Sequence, residues 1–261
     1  MELSRKASCL ARVCLAAWLA VSSAGLAGCA AQQSADAPPG MEDEVPDPLE
    51  ELNRAVFEFN DYLDIYILRP LALGYRAVLP QPVRDSVRNF LRNLGAPVTF
   101  FNDVLQGKGE RAQITLGRFM VNTTFGVVGL FDVADGMGAP YHSEDFGQTL
   151  AVWGAKPGIY LVLPILGPST TRDAAGRVAD VFMNPFNYVY AHNDLDYLPY
   201  VFYGVGAVDL RERNLELLDQ LKAEALDYYT LIRSIYLQIR ENEIQDGKAP
   251  AGGPGGKLQT Q

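Results

Sequence analysis

Residues 47–66 read DPLEELNRAVFEFNDYLDIY, and this stretch decides the fold class. Its large apolar residues recur at intervals of three and four, which places them on one face of an α-helix. Asp47, Pro48 and Glu50 stand where an N-cap, a first helical residue and a capping-box partner are expected, so the spacing predicts a helix beginning at Asp47. The apolar face would be formed by Leu49, Leu52, Val56, Phe59, Leu63 and Tyr66.

Helical spacing continues along most of the chain. Arg69-Pro70 is expected to interrupt the first helix, and Pro80 and Pro82 introduce a second one that ends at Gly95. Further helical patterns cover residues 97–105, 110–122, 143–153 and 170–182, and the longest runs from about 208 to 243.

Only one segment has the pattern of extended backbone. Residues 159–168 read IYLVLPILGP, and Pro164 and Pro168 exclude a central strand. We therefore predict a mostly α, single helical domain with one short extended hairpin-like loop.

The first 28 residues have the pattern of a secretory signal peptide. Arg5, Lys6 and Arg12 precede a short apolar stretch over residues 13–21, and small residues lead to Gly28. The apolar stretch is too short for the roughly 20 residues that span a bilayer.

The end of this signal resembles the lipobox of bacterial lipoproteins, Leu26-Ala-Gly-Cys29. In that family cleavage precedes the cysteine and its thiol is lipidated. Cys29 would be the only cysteine of the mature chain, and acylation with two or more chains gives stable membrane anchoring. The alternative is an ordinary secreted protein with a chance cysteine at its cleavage site.

Composition sets the remaining boundaries. We predict a flexible lipidated tether over residues 29–46, a helical domain over 47–246 and a disordered Gly/Pro-rich tail over 247–261. Removal of residues 1–28, which carry three basic and one acidic side chain, changes the formal charge from −9 to −11. Such an acidic chain argues against nucleic acid as a partner.

Two apolar segments do not fit a routine helical bundle. Residues 119–131 are apolar nearly all round, and residues 159–166 are apolar on both faces. Either a core encloses them or they face lipid within one leaflet. A stripe of Arg84, Arg88 and Arg92 is compatible with lipid phosphate, or with a solvated helix face.

Catalytic patterns are scarce. The chain has two histidines, His142 and His192, and neither has metal-ligand spacing with another His or Cys. It contains no nucleophile elbow or Walker A loop. We predict no enzyme activity, no catalytic or metal site and no cofactor.

Many short motifs, in one order over about residues 47–190, resemble the VacJ/MlaA family of outer-membrane phospholipid-binding lipoproteins. They include Asp47-Pro-Leu-Glu-Glu-Leu-Asn-Arg54, Phe57-Glu-Phe-Asn60, Arg69-Pro70, Pro80-Gln-Pro82, Asn89-Phe-Leu-Arg-Asn-Leu94, Leu105-Gln-Gly107, Gly129-Leu-Phe-Asp-Val-Ala134, Glu144-Asp-Phe-Gly-Gln-Thr-Leu150, Tyr160-Leu-Val-Leu-Pro164 and Arg172-Asp173.

The resemblance implies a ring of amphipathic helices in the inner leaflet of the outer membrane, around an amphipathic channel. The family removes mislocalised phospholipid from the outer leaflet, passes it to a soluble periplasmic carrier and works bound to trimeric outer-membrane porins. It thereby maintains lipid asymmetry. The chain would lie on the periplasmic face of the outer membrane, anchored by Cys29.

Transfer through a channel needs polar groups that replace headgroup water. We expect Asn53, Asn60, Arg76 and Arg84 to supply such contacts, with Phe59 beside them. The loop residues Tyr160, Leu163 and Pro164 would shape the channel mouth. The competing interpretation is a soluble periplasmic lipoprotein that acts as a structural scaffold.

Overall fold

A computed structural model describes residues 45–247. The signal peptide, Cys29, most of the tether and the tail from residue 248 lie outside the described residues, so their predictions stay predictions.

The first helix passes through Pro70 instead of ending there. Helix α1 (Glu50–Leu63) runs into a π-helical turn (Asp64–Leu68) and on into α2 (Arg69–Val78). In the π turn, the Arg69 N–H bonds to the carbonyl of Asp64, five residues back. The predicted interruption at Arg69-Pro70 is therefore wrong, because Pro70 lies in the first turn of α2, where a missing N–H is tolerated.

The prediction that Asp47 caps this helix is also wrong. Leu49 occupies the N-cap position and makes no side-chain cap bond. Asp47 instead accepts a hydrogen bond from Asn53 Nδ2 at 2.7 Å and another from the Tyr229 hydroxyl. The Asp47 carboxylate therefore makes tertiary contacts instead of the N-cap hydrogen bond that the sequence spacing predicts.

The second helix does not stop at Gly95. Helix α3 (Gln81–Leu105) continues through Gly95 and Pro97, and so includes the segment predicted as a separate helix. Pro97 removes one backbone bond, but side chains on both sides of it bind other helices, Arg84 to Glu212 and Asn102 to Asp180.

The predicted long C-terminal helix is three helices. The helix is interrupted at Asn214 and again at Ala225, whose backbone is extended. Asp227 then caps the last helix by accepting a hydrogen bond from the Thr230 N–H at 3.2 Å. Asp and Asn compete with helix hydrogen bonds in this way. The remaining helices are α4 (Gly109–Thr124), α5 (Val133–Gly136), α6 (Phe146–Val152), α7 (Thr171–Met183), α8 (Pro185–His192), α9 (Leu198–Arg213), α10 (Leu215–Glu224) and α11 (Tyr228–Ile244).

The extended segment forms the expected hairpin. Strands β1 (Tyr160–Leu163) and β2 (Gly167–Thr170) pair antiparallel, with Tyr160 opposite Thr170 and Leu163 opposite Gly167. Ile165 and Gly167 adopt positive φ in and after the turn.

Contacts between the elements close a cycle. Helix α1 packs on β1, β2 on α7, α7 on α6, both of these helices on α3, α3 on α9, and α9 on α2. This order agrees with the predicted single helical domain with a ring-like arrangement.

The distribution of polarity is unusual. Among residues 45–247, only seven hydrophobic side chains are buried, against nineteen polar or charged ones. Large apolar side chains lie on the surface in nearly every helix. None of the described helices is long and apolar enough to cross a bilayer.

Candidate functional site

Asn53 joins α1 to the hairpin. Its side chain is 2% exposed, and its Nδ2 donates to the carbonyl of Tyr160 at 3.1 Å. Its Oδ1 accepts from the backbone N–H of Val162 at 2.9 Å. One side-chain amide therefore hydrogen-bonds to the backbone of β1 along the edge that does not pair with β2.

Asn60 repeats this contact two helical turns later, at the hairpin tip. Its Nδ2 donates to the carbonyl of Leu163 at 2.9 Å, and its Oδ1 accepts from the N–H of Ile165 at 2.7 Å. A spacing of seven residues puts both amides on one face of α1. The two side chains together hold the hairpin along its length.

The base of the hairpin ends in an aromatic cluster. Tyr160 is fully buried, and its ring lies 6.1 Å from that of Tyr229 and 6.3 Å from that of Tyr236. Burial raises the pKa of Tyr160 to about 12. This cluster fixes β1 against α11.

A charged seam connects α2 and α3 to α9. Glu212 is almost fully buried, and its Oε1 lies 2.8 Å from both Arg76 Nε and Arg84 Nη1. Arg76 also donates to the carbonyl of Glu212 at 2.7 Å. Two guanidinium groups thus share one enclosed carboxylate, and Glu216 supplies the second negative charge to Arg76 at the surface.

The arginine stripe divides into two kinds. Arg84 is part of the seam, and Arg88 pairs with Asp85 at 2.9 Å and with the buried Asp209 at 3.3 Å. Arg92 instead stacks on Tyr141, with its guanidinium carbon 4.3 Å from the ring centroid. The first two arginines are therefore internal structural cations rather than a solvated face.

Arg240 organises a second charged cluster. It binds Asp145 through two bonds of 2.6 Å and Asp173 through one of 3.0 Å. Burial would raise the pKa of Asp173, but the hydrogen bond from Tyr236 and the charge of Arg240 lower it to about 2. A polar cavity of about 270 Å³ adjoins these four side chains.

Asp180 differs from Asp173 in the direction of its pKa shift. It accepts hydrogen bonds from Asn102 Nδ2 at 3.0 Å and from the N–H of Phe146 at 3.1 Å, but no cation binds it within the part of the chain described. Burial raises its pKa to about 6 despite these bonds. This carboxyl joins α7 to α3 and to the start of α6.

The hydrogen bonds and ion pairs described above join separate elements of the fold. Their amides, guanidiniums and carboxylates hold these elements together around a polar interior. No group of metal-ligating side chains that could bind an ion occurs among residues 45–247.

Comparison with known proteins gives a consistent family. The MlaA lipoprotein family model matches residues 45–243. The chain is 35% identical over 207 residues to the intermembrane phospholipid transport system lipoprotein MlaA of Haemophilus influenzae, a match covering 77% of this chain and 80% of that protein. This chain belongs to the MlaA lipoprotein family.

Other relatives extend the match. The MlaA protein of Escherichia coli is 35% identical over 209 residues, which cover 77% of this chain and 79% of that one. A structure solved in work on the structural basis for maintenance of bacterial outer membrane lipid asymmetry superposes on this chain with a TM-score of 0.68. It is 34% identical, and the match covers 76% of this chain and 98% of that chain.

The structure places the predicted MlaA channel residues in two groups. Asn53, Asn60, Tyr160 and Leu163 meet at the contact between α1 and the hairpin, with Pro164 in the turn and Phe59 half-exposed beside them. Arg76 and Arg84 meet at Glu212, away from the first group in sequence and element. A direct role of either group in lipid passage stays a prediction.

Sequence reasoning missed the Arg240 cluster and Asp180. A signal was available, because Arg240 follows Ile232 and Tyr236 at intervals of four and so continues an apolar helix face, and Asp145 and Asp173 lie in motifs that carried the family resemblance. A charged residue in such a position is a candidate for a buried partner on another element.

Proposed function

We propose that this chain is an outer-membrane lipoprotein that removes mislocalised phospholipid from the outer leaflet and so maintains lipid asymmetry. The relatives named as MlaA belong to an intermembrane phospholipid transport system, and the match to them covers most of both chains. The transfer needs no covalent step, since only the position of the lipid changes.

One observation carries the proposal beyond family membership: the described residues bury charge and expose apolar surface. Charged side chains are seldom buried in water-soluble domains, and large exposed apolar patches mark contact with lipid or protein. Exposed apolar side chains include Tyr66, Ile67, Leu71 and Val78 on the first helical run, Phe125, Val127, Val128 and Phe131 after α4, and Val178, Val181 and Phe182 on α7.

A lipid headgroup that crosses an apolar layer loses its water at a cost of several kcal/mol unless polar groups replace it. The buried polar interior provides groups of that kind. Because Asn53 and Asn60 are both engaged by the hairpin, we propose that they act by holding the loop that shapes the opening. Arg76, whose side chain is 35% exposed, remains our candidate for headgroup contact, whereas we propose that the enclosed Arg84 holds α3 against α9 through Glu212.

The finer parts of this proposal are the anchor and the partners. We propose that Cys29 carries the lipid and places the chain on the periplasmic face of the outer membrane. We further propose that a trimeric porin surrounds the exposed apolar surface in part, and that a soluble periplasmic carrier receives the lipid. Cross-linking in cells followed by purification through the full chain would identify both partners.

The function is tested by deleting the gene and labelling outer-leaflet aminophospholipids on intact cells with a membrane-impermeant reagent. Deletion should raise the labelled fraction, and the full chain should restore it. An unchanged labelled fraction in the deletion strain would contradict the proposal. A Cys29→Ala chain, which should remain as unprocessed precursor, provides the control for anchoring.

A further inference from the structure

Arg92 is unlike its neighbours in the stripe. Arg84 and Arg88 each bind a buried carboxylate, and Arg118 on the facing helix binds Asp132 at 2.6 Å. Within residues 45–247, no carboxylate lies within ion-pair distance of Arg92, and its guanidinium rests on the ring of Tyr141. Its positive charge is therefore available to an external anion.

An apolar loop lies beside this cation. Asn89, one helical turn from Arg92, donates to the carbonyl of Leu130 at 3.5 Å, and Gly129 sits so close to Asn93 that an added Cβ would lie 2.5 Å from its side chain. Asn89, Arg92 and Asn93 share one face of α3. The loop over residues 125–131 is thus fastened to the face that carries the cation.

This loop presents apolar side chains outward. Phe125 is 76% exposed and Phe131 57%, and Val127 and Val128 between them are more than half exposed. Both valines adopt positive φ, which is costly for β-branched residues. The N–H groups of Val128 and Gly129 donate to the carbonyls of Thr123 and Asn122, and these bonds hold the strained conformation in which the apolar side chains are exposed.

The cleft beside Arg92 is narrow, and its lining comes from α3, α4 and residues 132–142 rather than from the loop over residues 125–131. Its enclosed space is about 20 Å³, room for about one water molecule, and its lining includes Asn89, Asn93, Arg92 and Tyr141. An anion would therefore bind at the mouth, where Arg92 and the second amide proton of Asn89 can both donate.

We propose that Arg92 and Asn89 bind the phosphate of a phospholipid whose acyl chains lie over the loop of residues 125–131. A guanidinium supplies paired donors to phosphate oxygens, and its stacking on Tyr141 limits the rotamers it must lose on binding. This inference rests on the proposed function and names a surface contact for its substrate class.

The test uses the full chain in maltoside micelles, titrated with short-chain phosphatidylglycerol, with the matching diacylglycerol and with inorganic phosphate. Arg92→Gln should weaken phosphatidylglycerol binding about tenfold, the effect of losing one charge-assisted contact, and leave diacylglycerol binding unchanged. Arg54→Gln, which removes an exposed arginine on α1, is the matched control. The double variant Phe125→Ser with Val128→Ser should weaken binding of both lipids.

Three outcomes overturn the inference. Arg92→Gln could bind phosphatidylglycerol as the wild type does, inorganic phosphate could bind as tightly as the lipid, or the loop variant could leave lipid binding unchanged. Thermal unfolding of each variant controls for folding, and Arg92→Lys keeps the charge if the glutamine variant is unstable.

Failure of this inference is separable from failure of the proposed function. If the wild type restores outer-leaflet lipid content in the deletion strain and Arg92→Gln restores it equally, the phosphate contact is wrong and the transport function stands. If the wild type itself does not restore it, the proposed function fails.

Discussion

Several arginines of the described residues each bind a buried carboxylate. Arg240 is the clearest case, because its two terminal nitrogens serve both Asp145 and Asp173. Bidentate geometry makes such ion pairs strong. Removing one partner is costly in free energy mainly because the other partner is left as an unpaired charge in the interior.

Arg240→Met should therefore destabilise the chain by up to about 3–5 kcal/mol, since the partly exposed Asp145 loses its cation and the buried Asp173 keeps only Arg172. Arg54→Met is the matched control, because the Arg54–Asp227 pair is exposed and screened by solvent, so its loss should cost much less stability than the loss of Arg240. Urea unfolding in mild detergent, followed by tryptophan fluorescence, measures both. Equal losses in the two variants would contradict the assignment of Arg240 as the centre of the cluster.

Asp180 gives a pH dependence of known sign. The unfolded carboxyl ionises near pH 3.8 and the folded one at about 6, so the folded state binds more protons between these values. Its contribution to the free energy of unfolding therefore falls as the pH rises through this window, by about 1–3 kcal/mol in total.

Asp180→Asn should abolish this loss, so the variant gains stability relative to the wild type between pH 4 and 6. Asp173→Asn is the contrasting control. The lowered pKa of Asp173 gives stability that is present above pH 3.8 and disappears as the pH falls toward 2, so this variant should lose a constant amount between pH 4 and 7. Parallel stability curves for Asp180→Asn and the wild type would refute the prediction.

At the scale of elements, periodicity predicted α4 and α7 closely, together with the hairpin, because each has an apolar face bounded by turn or capping residues. It failed where tertiary contacts override local signals. Pro70 and Pro97 lie inside longer helical runs, and the apolar repeat over residues 208–243 hid the breaks at Asn214 and Ala225. The amides that hold the hairpin could be named from their motifs, but not their partners 100 residues away.

Asn60 tests the contact between two elements. Asn60→Leu removes both hydrogen bonds to the hairpin tip, each worth about 1 kcal/mol, and should speed amide hydrogen exchange at Leu163, Ile165 and Leu166. Asn193→Leu is a suitable control, since among the described residues that side chain, just after the end of α8, bonds only to the carbonyl of Val189. Unchanged exchange at the tip in Asn60→Leu would show that the hairpin is held elsewhere.

For the whole molecule, the sequence already indicated apolar segments without a polar face, and left open whether a core or lipid covers them. The structure answers for residues 119–131: Asn122 and Arg118 on α4 are buried, whereas the apolar side chains after α4 are exposed. What sequence could not give is the polar interior, because its charges come from helices far apart in the chain and look like ordinary solvated residues in each one.

This distribution predicts that the protein stays with membranes when its anchor is absent. A chain secreted through an unrelated signal and starting at Ala30 would lack Cys29 but keep every exposed apolar side chain of the described residues. Apolar surface contributes about 25 cal/mol for each Å² removed from water, so a surface of many half-exposed large side chains holds the chain without acylation. After high-salt and alkaline washes, most of this form should remain in the membrane fraction and require detergent for extraction.

A variant of the same anchorless chain gives the control, with Leu71, Val78, Val181 and Phe182 replaced by Ser, all of them exposed positions. It should shift toward the wash fraction, because it has less apolar surface to contact lipid. Its core and charge clusters are unchanged, so its fold should be kept. If the unsubstituted anchorless chain instead washes off and purifies without detergent as a monodisperse monomer, the apolar surface does not contact lipid. The scaffold held by its anchor alone would then be the better description.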